Sequence, residues 1–265
     1  MQSERLHPFC VHYFAMKGFV AYYFYEQGDY MVSRMVVQGL VAIIYTLELV
    51  GLLFVTQPKY KPKYYVPVKM TCSVSFVLIA VLFAAVSRHW AYFSMLLMPL
   101  LFCAVGDLFM GLYQVARKKR NMVLGLVLFL TAHIGLLVAL FRIDASLTWW
   151  NLLVPVVALV TFLTVKFKMH LHMGKLTPAC VVYSIFLALM LSKSTQYMFL
   201  YPGIASCWIG LAGILFFASD FTIIFVYFYK FKSKKAQKAI HYVNLITYFL
   251  AIFAFDVSIL YFAGM

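Results

Sequence analysis

Charge is the scarcest commodity in this chain. Only 11% of its 265 residues are Asp, Glu, Lys or Arg, and the acids number just eight. Soluble domains carry about 25% charged residues, so a chain that is 65% hydrophobic has no means of covering itself with a hydrated surface. A water-soluble globule is excluded, as are a disordered chain and a collagen. Cysteine is sparse too. Cys10, Cys72, Cys103, Cys180 and Cys207 lie singly and mostly within apolar runs, without the paired spacing of a disulfide scaffold, a zinc site or a redox motif. They read as small buried hydrophobes. Near the N-terminus no clean apolar core precedes a small-residue cleavage site, so a cleavable signal peptide is not expected.

What is plentiful is hydrocarbon in long runs. About 20 apolar residues suffice for a helix to cross a ~30 Å hydrocarbon core. Eight segments qualify, at 36–56, 66–86, 90–116, 121–142, 148–167, 176–197, 203–229 and 240–262, which predicts an all-α integral membrane protein, an eight-helix bundle. Residues 36–265 would form this membrane domain. Residues 1–35 read as an extracytoplasmic N-terminal segment, in which 9–25 sets His12 and Lys17 among Tyr and Phe, as interfacial segments do.

The net charge of +14 is distributed by topology. Of the 22 Lys and Arg residues, 16 fall at alternate connections: 59–69, 117–120, 166–175 and 230–238. By the positive-inside rule those connections are cytoplasmic, which places both termini outside or in the lumen of a bacterial cell membrane or an endoplasmic reticulum membrane. Basic loops of this kind meet lipid phosphates; a nucleic-acid partner is not expected.

Embedded polar residues carry the functional signal. Glu48, Asp107, Asp220 and Asp256 lie inside spans, and each costs about 2.5–3.5 kcal/mol at a helix centre, too much for four idle passengers. Glu48, Asp107 and Asp220 stand ten or eleven residues from a basic turn, and His133 about a dozen into its own span, so all four sit about 15 Å from the cytoplasmic edge. Asp256 is deeper. Asp220 follows Ser206 and Gly213 at seven-residue spacing, and Asp107 shares a face with Cys103, Ala104, Gly111 and Gln114. Stripes of small residues mark helix contacts in lipid, so both aspartates should point into the bundle. The runs LLFCAVGDLFMGLY and GILFFASDFTIIFVY hint at two parallel four-helix repeats.

Three chemistries fit buried carboxylates. A metal-free hydrolase could use Asp107 and Asp220 as a pair sharing one proton, with His133 orienting water or shuttling the proton and Glu48 as a neighbour setting their charge. A proton-coupled transporter or lipid-binding protein could use the same carboxylates for ions. A zinc hydrolase would need about three converging ligands, where only His133 lies at the right depth while His170, His172 and His241 sit at the rim. No metal or cofactor is expected. Lys69 and Arg117, at the cytoplasmic mouth, are candidates for a lipid phosphate, and Tyr183 and Tyr248 for donors to a carboxylate.

The GD of FCAVGDLFMGL (Gly106, Asp107), the GLVLFLTAH run ending at His133, YSIFLALM from Tyr183, GILFFASD with Gly213, Ser219 and Asp220, and Tyr248 together resemble the YhhN family, also called the transmembrane protein 86 or lysoplasmalogenase family. In two places the pattern departs: Gly135 and Leu136 stand where a Tyr is expected, and Ile252 where a polar residue is usual. The resemblance implies hydrolysis of the vinyl-ether bond of lysoplasmalogens to a fatty aldehyde and glycerophosphocholine or glycerophosphoethanolamine. A lysophospholipid is then the substrate, Asp107, Asp220 and His133 are the catalytic candidates, and Glu48, Lys69, Gln114, Arg117, Tyr183, Ser219 and Tyr248 contact the substrate. Which aspartate is the acid stays open, as do headgroup preference and oligomeric state.

Overall fold

The computed structural model describes the backbone of residues 8–262 and the side chains of residues 31–262. Eight α-helices follow one another: α1 Pro8–Val55, α2 Lys61–Ser87, α3 Trp90–Ala116, α4 Lys119–Ile143, α5 Trp150–Lys168, α6 Thr177–Leu200, α7 Ile204–Phe228 and α8 Lys234–Tyr261, with a single 3₁₀ turn at Gly174–Leu176. No strand occurs among the described residues. Each helix holds an apolar stretch long enough to span a bilayer, α1 over Met31–Val55. The eight expected spans are therefore present, most of them a few residues longer than drawn. The protein is a multi-pass α-helical membrane protein, because in lipid a continuous helix satisfies every backbone donor internally. The side chains of 9–25, His12 and Lys17 among them, lie outside the described residues, as does their expected interfacial placement.

The described residues divide after Ile43 into two compact units, the second of which holds the helix ring. Within it α2 packs on α3 and α8, α3 on α4, α4 on α6, α6 on α7, and α7 on α8. Six helices thus close a ring. α5 lies outside, against α6, and only 11% of its apolar stretch is buried; for α8 the share is 78%. The end of α1 contributes to that enclosure: Tyr45 stacks on Phe253 with ring centroids 5.4 Å apart and donates its hydroxyl to the Phe249 carbonyl.

Small residues set the closest approaches in the ring, as expected where lipid offers no hydrophobic drive to helix association. On α7, the Cβ of any larger residue at Gly213 would lie 2.8 Å from Ser194 Cβ on α6. At the edge away from the basic loops, a buried ion pair fastens α6 to the α4–α5 connection. Lys193 Nζ lies 2.8 Å from Asp144 Oδ2 and also donates to the Ser146 carbonyl, while Gln196 Nε2 donates to the same Asp144 oxygen at 3.0 Å. Burial opposes ionisation of Asp144, yet the hydrogen bonds from Lys193 and Ser146 prevail and hold its carboxyl below its ordinary value.

Candidate active site inside the helix ring

Lys69 and Ser73 lie one turn apart on α2, so their side chains share a face directed at α3. There Lys69 Nζ stands 2.8 Å from Asp107 Oδ1, and Ser73 Oγ donates to Asp107 Oδ2 at 2.7 Å. From α8, Tyr248 donates its hydroxyl to the same Oδ2 at 2.8 Å. Asp107 is 1% exposed, so a cation and two hydroxyls replace the water it lacks.

A second cluster gathers on Asp220 of α7. His133 Nε2 of α4 lies 2.8 Å from Asp220 Oδ2, and the Tyr183 hydroxyl of α6 donates to that oxygen and lies 3.1 Å from His133 Nε2. His133 is wholly buried, and its Nδ1 has no hydrogen-bond partner. The tautomer with the proton on Nε2 would donate to Asp220. Asp107 on α3 draws its partners from α2 and α8, and Asp220 on α7 draws its own from α6 and α4, a shift of four helices.

An aromatic layer stands between the two clusters. Phe216 packs edge-on to His133 at 5.1 Å and to Tyr248 at 5.8 Å between centroids, and Phe129 packs edge-on to Tyr248 at 5.6 Å. Cys103, one turn before Asp107, lies in the field of both carboxylates. Among the described residues no hydrogen bond joins Asp107 to Asp220. Each of the two carboxylates expected to pair has donors of its own.

The remaining candidates are distributed unevenly. Lys69 is corrected from mouth to interior: it is 6% exposed and bound to Asp107. Glu48 does not join either cluster. Its Oε1 accepts from Ser75 Oγ at 2.8 Å between α1 and α2, and its Oε2 has no partner. Ser219 is locked to Asn244 of α8, whose Nδ2 donates to Ser219 Oγ at 3.0 Å. Gln114 lies two turns from Asp107 and binds Lys61 and Tyr227. Arg117 is exposed, with its guanidinium 5.8 Å above the Tyr113 ring. Ser73, Lys61 and Tyr227 escaped the sequence reading; only the first carried a signal, its four-residue spacing from Lys69.

A cavity opens among α4, α5, α6 and α7, walled mainly by hydrocarbon from residues such as Leu126, Leu130, Phe162, Leu187 and Phe221. Its polar wall comes from Tyr183 and Asp220, with the Ser184 hydroxyl nearby. On the basic-loop side a cluster of Met122, Phe162, Leu171, Met173 and Phe228 adjoins it, so the α5–α6 connection folds inward over that end. His172 N donates to the Phe228 carbonyl at 3.1 Å and ties the connection to α7. No group of three or more His, Cys, Asp or Glu side chains placed to hold a metal occurs among the described residues.

An all-helical membrane ring enclosing two hydrogen-bonded carboxylates, one of them on the wall of an apolar cavity, defines a polytopic membrane protein with an intramembrane polar site. The YhhN family matches this chain over residues 64–259, from the first turn of α2 almost to the end of α8. The chain belongs to the YhhN family. Comparison with curated proteins and with solved structures found no match.

Proposed function

We propose that this protein is a membrane-embedded hydrolase that cleaves the vinyl-ether bond of lysoplasmalogens, releasing a fatty aldehyde and glycerophosphocholine or glycerophosphoethanolamine. Membership of the YhhN family supports the reaction class. The observation that carries the reading is the Asp220, His133 and Tyr183 cluster on the wall of an apolar cavity. Hydrocarbon walls suit a single alkenyl chain.

A vinyl ether breaks when a proton is added to the alkene carbon remote from oxygen. The resulting cation is shared by the adjacent carbon and the ether oxygen; water adds to that carbon, returns a proton to the catalytic base, and the hemiacetal collapses by breaking its carbon–oxygen bond to the glycerol. Asp220 is assigned the proton transfer, because it faces the cavity. Its carboxylate form then stabilises the cation and activates water, as paired carboxylates do in glycoside cleavage. His133 and Tyr183 orient that carboxyl and can hold its proton. Asp107, fixed by Lys69, Ser73 and Tyr248, places a permanent dipole across the aromatic layer. Basic loops at alternate connections support a cytoplasmic entrance, in a bacterial cell membrane or the endoplasmic reticulum, with both termini opposite.

The test is mass spectrometry of a defined 1-alkenyl lysolipid incubated with purified protein in liposomes. Release of the matching aldehyde, abolished in Asp220→Asn, is expected. Lipid flux without aldehyde would instead make this a carrier and overturn the reading.

A further inference from the structure

Between Asp107 and the basic-loop edge, α2, α3 and α8 present polar residues that the chemistry above leaves unused. Lys61, Tyr65 and Lys69 recur every four residues on one face of α2, Gln114 lies seven residues beyond Asp107 on α3, and His241 seven before Tyr248 on α8. They meet. Lys61 Nζ donates to Gln114 Oε1 at 2.9 Å and stands 5.4 Å above the Tyr65 ring, whose centroid is 6.3 Å from that of His241. Gln114 Nε2 in turn donates to the Tyr227 hydroxyl at 3.0 Å.

Two features make this more than packing. Both ring nitrogens of His241 are buried, and neither has a hydrogen-bond partner. A buried polar group without a partner is rare and calls for a ligand or a water. The positive charges of Lys61, Lys69 and Arg117 all bear on that imidazole, while the one acid of the track, Asp107, is already matched by Lys69. Lys61 is left without a counter-ion among the described residues. Like charges gathered around an unsatisfied imidazole are unfavourable alone and favourable around an anion.

We propose that Lys61, Gln114 and His241 form a binding subsite for a phosphate group, carried by a lipid headgroup or free in solution. Donors approach from three helices, a distribution that suits the divergent oxygens of a tetrahedral phosphate better than the two coplanar oxygens of a carboxylate. Arg117, the residue that ends α3 three positions beyond Gln114, draws the anion toward the entrance. Naming the headgroup as that of a lysoplasmalogen rests on the proposed hydrolase; the phosphate subsite itself rests on the geometry alone.

Thermal unfolding of the full chain in detergent tests it, titrated with inorganic phosphate, with glycerophosphocholine, and with choline chloride as the phosphate-free control. Phosphate or glycerophosphocholine is expected to raise the midpoint and choline chloride not, with Lys61→Gln and His241→Phe each weakening the effect about tenfold, the worth of one charge-assisted contact. Stabilisation by glycerophosphocholine alone identifies a lipid headgroup, and stabilisation by both identifies a general phosphate site. Absence of any shift, or an equal shift in Lys61→Gln, overturns the subsite. Binding without aldehyde release keeps the subsite and removes the hydrolase. Aldehyde release with an unchanged KM in Lys61→Gln and no binding of either phosphate compound does the reverse.

Discussion

Lys69 and Asp107 form an ion pair at 2.8 Å in the interior of the helix ring, with the two side chains 8% and 0% exposed. Neither charge has water to fall back on, so each depends on the other. Removing one partner of such a pair costs about 3–5 kcal/mol, because the survivor remains buried and uncompensated. Lys69→Met is expected to lower the unfolding midpoint in detergent sharply, and Lys69→Met combined with Asp107→Leu to recover much of the loss. A double variant no more stable than Lys69→Met would show that the pair is not the source of the effect.

Catalysis is expected to divide the two clusters. Tyr183→Phe removes one hydroxyl from Asp220 and keeps the ring; Asp220→Asn removes the acid. Loss of a general acid typically costs about 10²–10⁴ in rate. Turnover of an alkenyl lysolipid should fall by that order in Asp220→Asn, and by less in Tyr183→Phe, while both variants elute as the native protein does in size-exclusion chromatography. Native-like turnover by Asp220→Asn would remove Asp220 from the chemistry.

The inward face of each aspartate was legible in the sequence, and the groups it meets were not. Small-residue stripes turned Asp107 and Asp220 into the bundle, where both are buried, and distances from basic turns set them and His133 at one expected height. Height alone leaves open which groups meet around a ring of six helices. Thus His133 fell to Asp220, and Tyr248 from a distant helix fell to Asp107. Lys69 read as a mouth residue because a lysine near a span end ordinarily snorkels, but its face of α2 turns inward onto Asp107. Ser73 was hidden for another reason: a serine in a helix can satisfy itself on the carbonyl four residues back, and Ser73 does lie 3.0 Å from the Lys69 carbonyl.

The seam between α6 and α7 is sensitive to one methyl group. Gly213→Ala places a Cβ 2.8 Å from Ser194 Cβ, and that atom is fixed to the backbone rather than at the end of a flexible chain. Overpacking of this kind costs about 1–3 kcal/mol. Gly213→Ala should lower thermal stability by that order, and Ser194→Gly introduced with it should restore most of the loss. An unchanged midpoint in Gly213→Ala would mean that the helices part without cost.

Acid should loosen the edge of the protein held by Asp144. Asp144 is held below its ordinary carboxyl value of 3.8, with burial opposing and the bonds from Lys193 and Ser146 prevailing. A depressed carboxyl stabilises the fold fully above its unfolded value, and that contribution fades as the pH falls through the folded value. Stability measured from pH 6 downward should therefore drop below about pH 4 in the native chain, and less steeply in Asp144→Asn, which starts lower. Parallel curves would exclude Asp144 as the titrating group.

The near-complete enclosure of α8 has a consequence for biogenesis. Ribosomes deliver α2 and α3 to the bilayer well before the helix that carries Tyr248 emerges, so the Asp107 carboxylate must wait with Lys69 and Ser73 as its only companions. Until that last segment slides between α2 and α7, the wall stands open to acyl chains, and a nascent chain stalled there would display to quality-control machinery the polar surface that the finished protein hides.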